Sequence, residues 1–165
     1  LVVITPHPAA HARWADKRLL AWLGNDELLQ QAGLGVDDRS HLRQTIPATE
    51  VVEPAAADEL WQRRKSLFFK PVDGFGSKAA YRGDKLTRTT FEHILAHRYV
   101  AQALAPTSFR RIQSADGVEA DLRVDVRNYA MHGATWLRAA RLYRGQTTNF
   151  RTVGGGFAPV LTLPA

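Results

Sequence analysis

The hydrophobic pattern of this chain changes once, near Ser66, and that change bounds the fold more tightly than any motif. Before it, apolar residues recur at helical spacing. Residues 11–23 set Trp14, Leu19, Leu20, Trp22 and Leu23 among Arg13, Asp16, Lys17 and Arg18, which predicts an amphipathic helix. Gly24-Asn25-Asp26 ends it and caps a second helix running to about Gln31, which Gly33 and Gly35 break. Residues 37–44 predict a short helix closed by Pro47. Glu53-Pro54 opens another through Lys65, with Leu60 and Trp61 on its inner face. After Ser66 the runs are strand-like. Residues 66–71 predict a strand stopped by Pro71, residues 72–78 a Gly-bearing loop, and residues 79–82 a returning strand of the same hairpin. Phe91, Ile94 and Leu95 predict a helix over 88–97, and residues 99–104 a strand ended by Pro106. Strands at about 118–130 and 134–144 flank a turn at Met131-His132-Gly133, and residues 145–158 predict a loop. Helices first, then strands with one inserted helix, is an α+β order rather than alternating βαβ.

Composition removes several classes. With 165 residues the chain predicts one domain or two small lobes of one, long enough to bury a core. There is no Cys, so no disulfide framework and no Cys-ligated zinc or iron–sulfur cluster, and a cytoplasmic location is expected. No apolar run approaches the ~18 residues of a membrane span, so no membrane partner is expected. The opening Leu-Val-Val-Ile is no signal peptide, and a first residue of Leu predicts a piece of a longer protein.

Charge is uneven. The net charge is +6 and the pI about 10.1. No Asp or Glu follows Asp125, whereas Arg127, Arg138, Arg141, Arg144 and Arg151 do. Such an end suits an anionic ligand, and also suits a solvated basic face. Nucleic acid, nucleotide phosphates and an acidic substrate all answer to it.

Three segments carry chemistry. Phe68-Phe69-Lys70-Pro71-Val72-Asp73-Gly74-Phe75-Gly76-Ser77-Lys78 closes an apolar strand with Lys70 and follows it with a Gly- and Ser-bearing turn. Backbone N–H groups of such a turn cradle phosphate oxygens, with Lys70 as a point charge. An ordinary hairpin whose lysine snorkels from a strand end fits equally. P-loop spacing is absent. Gly74, Gly76 and Ala79 satisfy G-x-G-x-x-A, but Tyr81-Arg82-Gly83-Asp84 follows in place of a long helix, which argues against a dinucleotide site. In the second segment, Asp121, Arg123, Asp125 and Arg127 share one strand face and Leu122, Val124 and Val126 the other. Asp125 suits Mg²⁺ and Arg123 a phosphate, while pairing of Asp125 with Arg123 or Arg127 on a solvent face is the plainer alternative. Third come Arg138, Arg141, Arg144, Asn149 and Arg151, then Gly154-Gly155-Gly156, where Asn149 offers a neutral oxygen to a metal shell and the glycines a close backbone approach. His93 and His97 stand at i,i+4 without H-E-x-x-H or a third ligand in register, and Ser66, Ser77 and Ser108 lie in no G-x-S-x-G elbow.

Taken in order, these segments resemble the ATP-grasp superfamily, most of all its glutathione-synthetase-like and circularly permuted branches. Asp16-Lys17 looks like its early phosphate-contacting helix. Phe69-Lys70-Pro71 with Gly74, Gly76, Ser77 and Lys78 looks like its strand lysine and phosphate loop. Gln102-Ala103-Leu104 looks like the strand whose backbone meets adenine, Arg123-x-Asp125 like its metal-binding strand, and Asn149 with 154–156 like its metal-binding Asn and Gly-rich follower. The resemblance implies an α+β fold of two small lobes with antiparallel sheets and flanking helices. Residues 1–104 would hold the helices and phosphate loop, and 105–165 the metal-binding strands. It implies ATP and Mg²⁺ as cofactors and a ligase joining an unknown carboxylate to an amine or thiol through an acyl phosphate. Lys17, Lys70 and residues 74–78 would hold phosphates and Asp125 and Asn149 the metal, while Arg123, Arg141 and Arg151 would stabilise the transferring phosphoryl group. Two departures stand out. Thr147 occupies the position of the family's usual Glu. Only sixteen residues precede Lys17, so the substrate domain is expected ahead of Leu1. The loss of that Glu leaves a non-catalytic nucleotide-binding relative as the alternative. A basic nucleic-acid module is the third reading, without an RNP, KH or helix-turn-helix signature.

Overall fold

The computed structural model describes residues 7–74, 76–113, 117, 119–145 and 154–161. The chain divides into two compact units, Leu1–Ala105 and Pro106–Ala165. Together they form an α+β protein with two four-stranded antiparallel sheets. Among the described residues no helix is long and apolar enough to cross a membrane.

The first unit opens with short helices: α1 Pro8–Trp14, α2 Arg18–Leu23, α3 Asp26–Gln31 and α4 Val36–Thr45. The helix expected over 11–23 is therefore two helices. The break comes from Asp16, whose carboxylate accepts the Arg18 N–H at 2.8 Å, and from Lys17, whose N–H donates to the Val72 carbonyl at 3.0 Å instead of to its own helix. Asn25 caps α3 as expected, accepting from Leu28 N–H.

Strand β1 (Thr49–Val51) follows, then α5 (Ala57–Arg63) between single 3-10 turns at Pro54–Ala56 and Arg64–Ser66. The hairpin of β2 (Leu67–Pro71) and β3 (Tyr81–Arg82), helix α6 (Arg88–Leu95) and strand β4 (Tyr99–Ala103) complete the unit. The sheet order is β1-β4-β2-β3. Alternation along β2 sends Leu67 and Phe69 to one face, where they meet Val52, Leu60, Phe91, Ile94, Tyr99 and Ala101. Helices α5 and α6 supply Leu60, Phe91 and Ile94 to that core, and Phe69 meets Phe91 edge-on at 5.9 Å. The other face of β2 presents Phe68 and Lys70.

The second unit is a meander, β5 (Ser108–Gln113), β6 (Glu119–Met131), β7 (Ala134–Tyr143) and β8 (Gly156–Pro159), paired in that order. His132 and Gly133, both at positive φ, make the tight β6–β7 turn. The expected core face of β6 is a core only at its first half. Leu122 is fully buried, whereas Val126 is 56% exposed and Trp136 on β7 is 70% exposed. Strands β1, β5 and β8 were absent from the sequence expectation, and β8 replaces the end of the loop predicted at 145–158.

Candidate functional site

Register on the first sheet decides which polar side chains meet. Phe68 stands opposite Gln102, and Thr49 opposite Gln102 on the other side, so Thr49, Gln102 and Lys70 share the face turned from the core. Gln102 is buried, and its two amide atoms are both used. Lys70 Nζ donates to Gln102 Oε1 at 2.5 Å, Gln102 Nε2 donates to Thr49 Oγ1 at 2.8 Å, and the Thr49 hydroxyl donates to the Pro47 carbonyl at 2.8 Å.

Lys17 arrives from the other end of the unit. Asp16 forks the Arg18 guanidinium, with Nε at 3.0 Å from both oxygens and Nη2 at 2.6 Å, and lies 3.6 Å from Arg98. Hydrogen bonding to Arg18 holds the Asp16 carboxyl below its ordinary range. That anchored turn points Lys17 at the end of β2, where its Nζ donates to the Gly74 carbonyl at 3.1 Å. Burial first, and then the charge of Lys17, pushes the Lys70 ammonium below the ordinary lysine range. Among the described residues, neither Lys17 nor Lys70 has a carboxylate within ion-pair distance.

The turn expected to cradle phosphate follows β2 and starts at Gly74, the residue that Lys17 reaches. Gly74, Gly76, Ser77 and Ala79 all have positive φ, at 102°, 69°, 59° and 52°. For Ser77 and Ala79 that conformation costs on the order of 1–2 kcal/mol each. Lys78 is exposed, and Tyr99 Oη donates to the Ala79 carbonyl at 3.1 Å, tying the end of the turn to β4. Beside it, Pro71, Asp73, His93, Ala96, His97, Arg98 and Tyr99 line a cavity of about 410 Å³. The expected adenine strand is less open. The Ala103 N–H donates to the Ala48 carbonyl at 2.7 Å and the Leu104 N–H to the Ser66 carbonyl at 2.9 Å, so both donors are already used within the unit.

In the second unit Asp125 stands opposite Arg141, and the two form a bidentate pair, Nε–Oδ1 at 2.5 Å and Nη2–Oδ2 at 2.8 Å. The partner lies across the strand pair, not at Arg123 or Arg127 on the strand of Asp125 itself. Arg123 instead donates to Thr107 Oγ1 at 3.4 Å and stands 5.0 Å over the Phe109 ring. Asn149, Arg151 and Thr147 lie outside the described residues. Among the described residues no three His, Cys, Asp or Glu side chains come together as a metal-ligating group. The described residues thus fit phosphate oxygens at Lys17 and Lys70. Of the two expected Mg²⁺ ligands the described residues include Asp125 alone, and its carboxylate is held through both oxygens by Arg141.

Sequence reasoning found Lys70 by its place at a strand end and missed Thr49. No local signal marks Thr49, whose part follows from a register fifty-three residues away.

No protein-family model matches the chain, and no curated protein matches it in sequence. Among solved structures it is similar to the ATP-grasp ligase PsnB, determined in complex with a minimal precursor, at 20% identity and a TM-score of 0.38. The likeness covers 82% of this chain and 39% of that one, so this chain spans about two-fifths of that ligase. Likeness at this level leaves the chemistry of the site to its own residues.

Proposed function

We propose that this chain binds ATP through its phosphates, as the nucleotide-holding part of an ATP-grasp ligase that joins a carboxylate to an amine or thiol through an acyl phosphate. The observation that carries the reading is the Lys17–Lys70 pair. Lys17 lies near enough to Lys70 for its charge to act on it, Lys70 is partly buried and held by the neutral Gln102 amide, and among the described residues neither lysine has a carboxylate within ion-pair distance. A fold retains such a pair at a cost, and a polyanion relieves that cost. In this reading Lys70 and Lys17 hold phosphate oxygens, and Gly74, Gly76, Ser77 and Lys78 offer backbone N–H groups to them. ATP supplies the phosphoryl group that activates the carboxylate. Arg123, Arg141 and Arg151 are the arginines proposed to offset phosphoryl charge, and among the described residues Arg123 has no carboxylate partner.

Thermal melts of the 165-residue chain test this. Millimolar ATP should raise the midpoint, since a ligand at a hundred times its Kd adds about 2.7 kcal/mol to stability. Lys70→Ala should remove the shift. An unchanged midpoint with ATP, in the presence and absence of Mg²⁺, would sink the proposal.

A second reading, nucleotide binding without catalysis, is favoured by the Asp125–Arg141 pair, in which the expected metal ligand is engaged through both oxygens by a cation that a metal would have to displace or share it with. Binding of ATP titrated with and without Mg²⁺ separates the two. Tighter binding with Mg²⁺ that Asp125→Asn abolishes supports the ligase. Binding indifferent to both supports the non-catalytic relative.

A further inference from the structure

We infer that Gln102, held by Thr49, is the positioning residue that aims the Lys70 ammonium at its anionic ligand while leaving its charge uncancelled. The inference rests on the phosphate-binding reading of Lys70 and adds two residues to that site whose side chains sequence patterns did not assign.

The hydrogen-bond chemistry leaves one orientation. A lysine ammonium only donates, so the Gln102 atom at 2.5 Å from Lys70 Nζ is the carbonyl oxygen. The amide nitrogen then faces Thr49, and the Thr49 oxygen accepts from it at 2.8 Å. That hydroxyl has one proton, and it goes to the Pro47 carbonyl at 2.8 Å. Pro47, Thr49, Gln102 and Lys70 thus form a directional chain from a fixed backbone carbonyl to a partly buried cation. Reversing the Gln102 amide would set NH₂ against NH₃⁺, a mismatch that costs more for a buried side chain than for an exposed one.

A neutral acceptor at this point has a consequence that a carboxylate would not. Glu at position 102 could bond Lys70 as well as Gln does, but it would cancel the positive charge and occupy the ammonium against an incoming anion. The amide restrains the ammonium and preserves its charge. The rest of the surroundings agree: the second charge nearby is Lys17, also cationic, and burial and Lys17 both act to destabilise the Lys70 cation. The site is therefore built to hold an unneutralised ammonium in one place.

The test uses the full 165-residue chain with inorganic tripolyphosphate and ATP as probes, in calorimetry, together with NMR titration of the Lys70 side chain. Thr49→Val, Gln102→Leu and Gln102→Glu are compared with the unaltered chain. Gln102→Leu should weaken binding of both probes about tenfold or more, and Thr49→Val should weaken it by a smaller factor. Gln102→Glu should raise the Lys70 pKa and still lose the anion, an opposition that loss of fold stability alone does not produce. Wild-type affinity in Gln102→Leu and Gln102→Glu would overturn the inference while leaving phosphate binding at Lys70 intact. If the unaltered chain bound neither probe, the phosphate reading would fall. The NMR arm would then still decide the positioning. An unchanged Lys70 pKa and mobility in all three variants would refute it.

Discussion

At the level of single residues, the behaviour of Lys70 sets a direction for pH dependence. Its folded pKa lies below the ordinary lysine value of 10.5, because of burial and then Lys17. Between the two values the unfolded chain binds more protons than the folded one, so this residue makes stability rise with pH across that alkaline window. Below the folded pKa the ammonium is charged in both states and its full cost is present. Urea unfolding of the native chain and of Lys70→Met, followed from pH 7 to 11, should show a steeper alkaline rise for the native chain. Equal slopes would remove the perturbation. Asp125 makes the contrasting case. Its pair with Arg141 is only partly shielded from solvent, with side-chain exposures of 32% and 23%, so the pair is worth little more than the ~0–1 kcal/mol of surface pairs. Asp125→Asn should therefore cost under about 1 kcal/mol in denaturant unfolding. A loss several times larger would mean that the pair is a structural tie of the second sheet and no reservoir for a metal ligand.

Elements owe their places to close approaches that no local pattern announces. Gly83 illustrates this. A Cβ there would stand 1.8 Å from the Arg64 carbonyl oxygen and 2.9 Å from that of Leu67, so the 3-10 turn at Gly83–Lys85 can lie against the turn at Arg64–Ser66 only with glycine. Gly83→Ala should cost at least the ~1–3 kcal/mol of overpacking, because the obstacle is backbone and cannot rotate away. Phe69→Ala removes the centre of the first core and should cost about 3–5 kcal/mol. Chemical denaturation measures both, and a near-neutral Gly83→Ala would show that the two turns separate freely. Phe69 was legible from its strand, as were Asn25 as a cap and the β2–β3 hairpin, since alternation and capping are written in neighbouring residues. Strand β1 was not: Thr49-Glu50-Val51 is three residues long, and it is a strand because β4 pairs with it. Strand β5 was hidden by the exposure of most of its residues, Arg110 and Arg111 among them, and β8 by the glycines before it. The site was half legible for the same reason. Lys17, Lys70 and Gln102 are marked within their own segments, whereas Thr49 and the contacts of Gln102 with Lys70 and of Lys17 with Gly74 depend on tertiary register.

For the whole molecule, charge is the property that separates the remaining readings. Residues 106–165 carry eight arginines against four carboxylates, so this smaller unit holds +4 of the net +6. Among the described residues two of those arginines are ion-paired within the unit, Arg111 with Asp121 and Arg141 with Asp125. A field of that sign draws any polyanion, nucleic acid included, and raises encounter rates without conferring a specific site. The two cases differ in salt dependence. A nucleic-acid protein that neutralises Z phosphates of a duplex loses affinity with a log–log slope of about −0.9Z, whereas non-specific attraction alone leaves dissociation constants of roughly 10⁻⁴–10⁻⁶ M near physiological salt. The Arg123 guanidinium stands over the Phe109 ring, so that ring already has a partner within its own sheet, and Trp136 stands near the turn of the β6–β7 hairpin. Anisotropy with single- and double-stranded oligonucleotides between 50 and 200 mM salt, concentrations chosen to span the range over which counterion release is read, should therefore give only weak binding, and ATP should not compete for it at concentrations that saturate the Lys17–Lys70 site. Nanomolar affinity with a slope of several charges, insensitive to Lys70→Ala, would reassign the basic surface to nucleic acid and leave the lysine pair without its ligand.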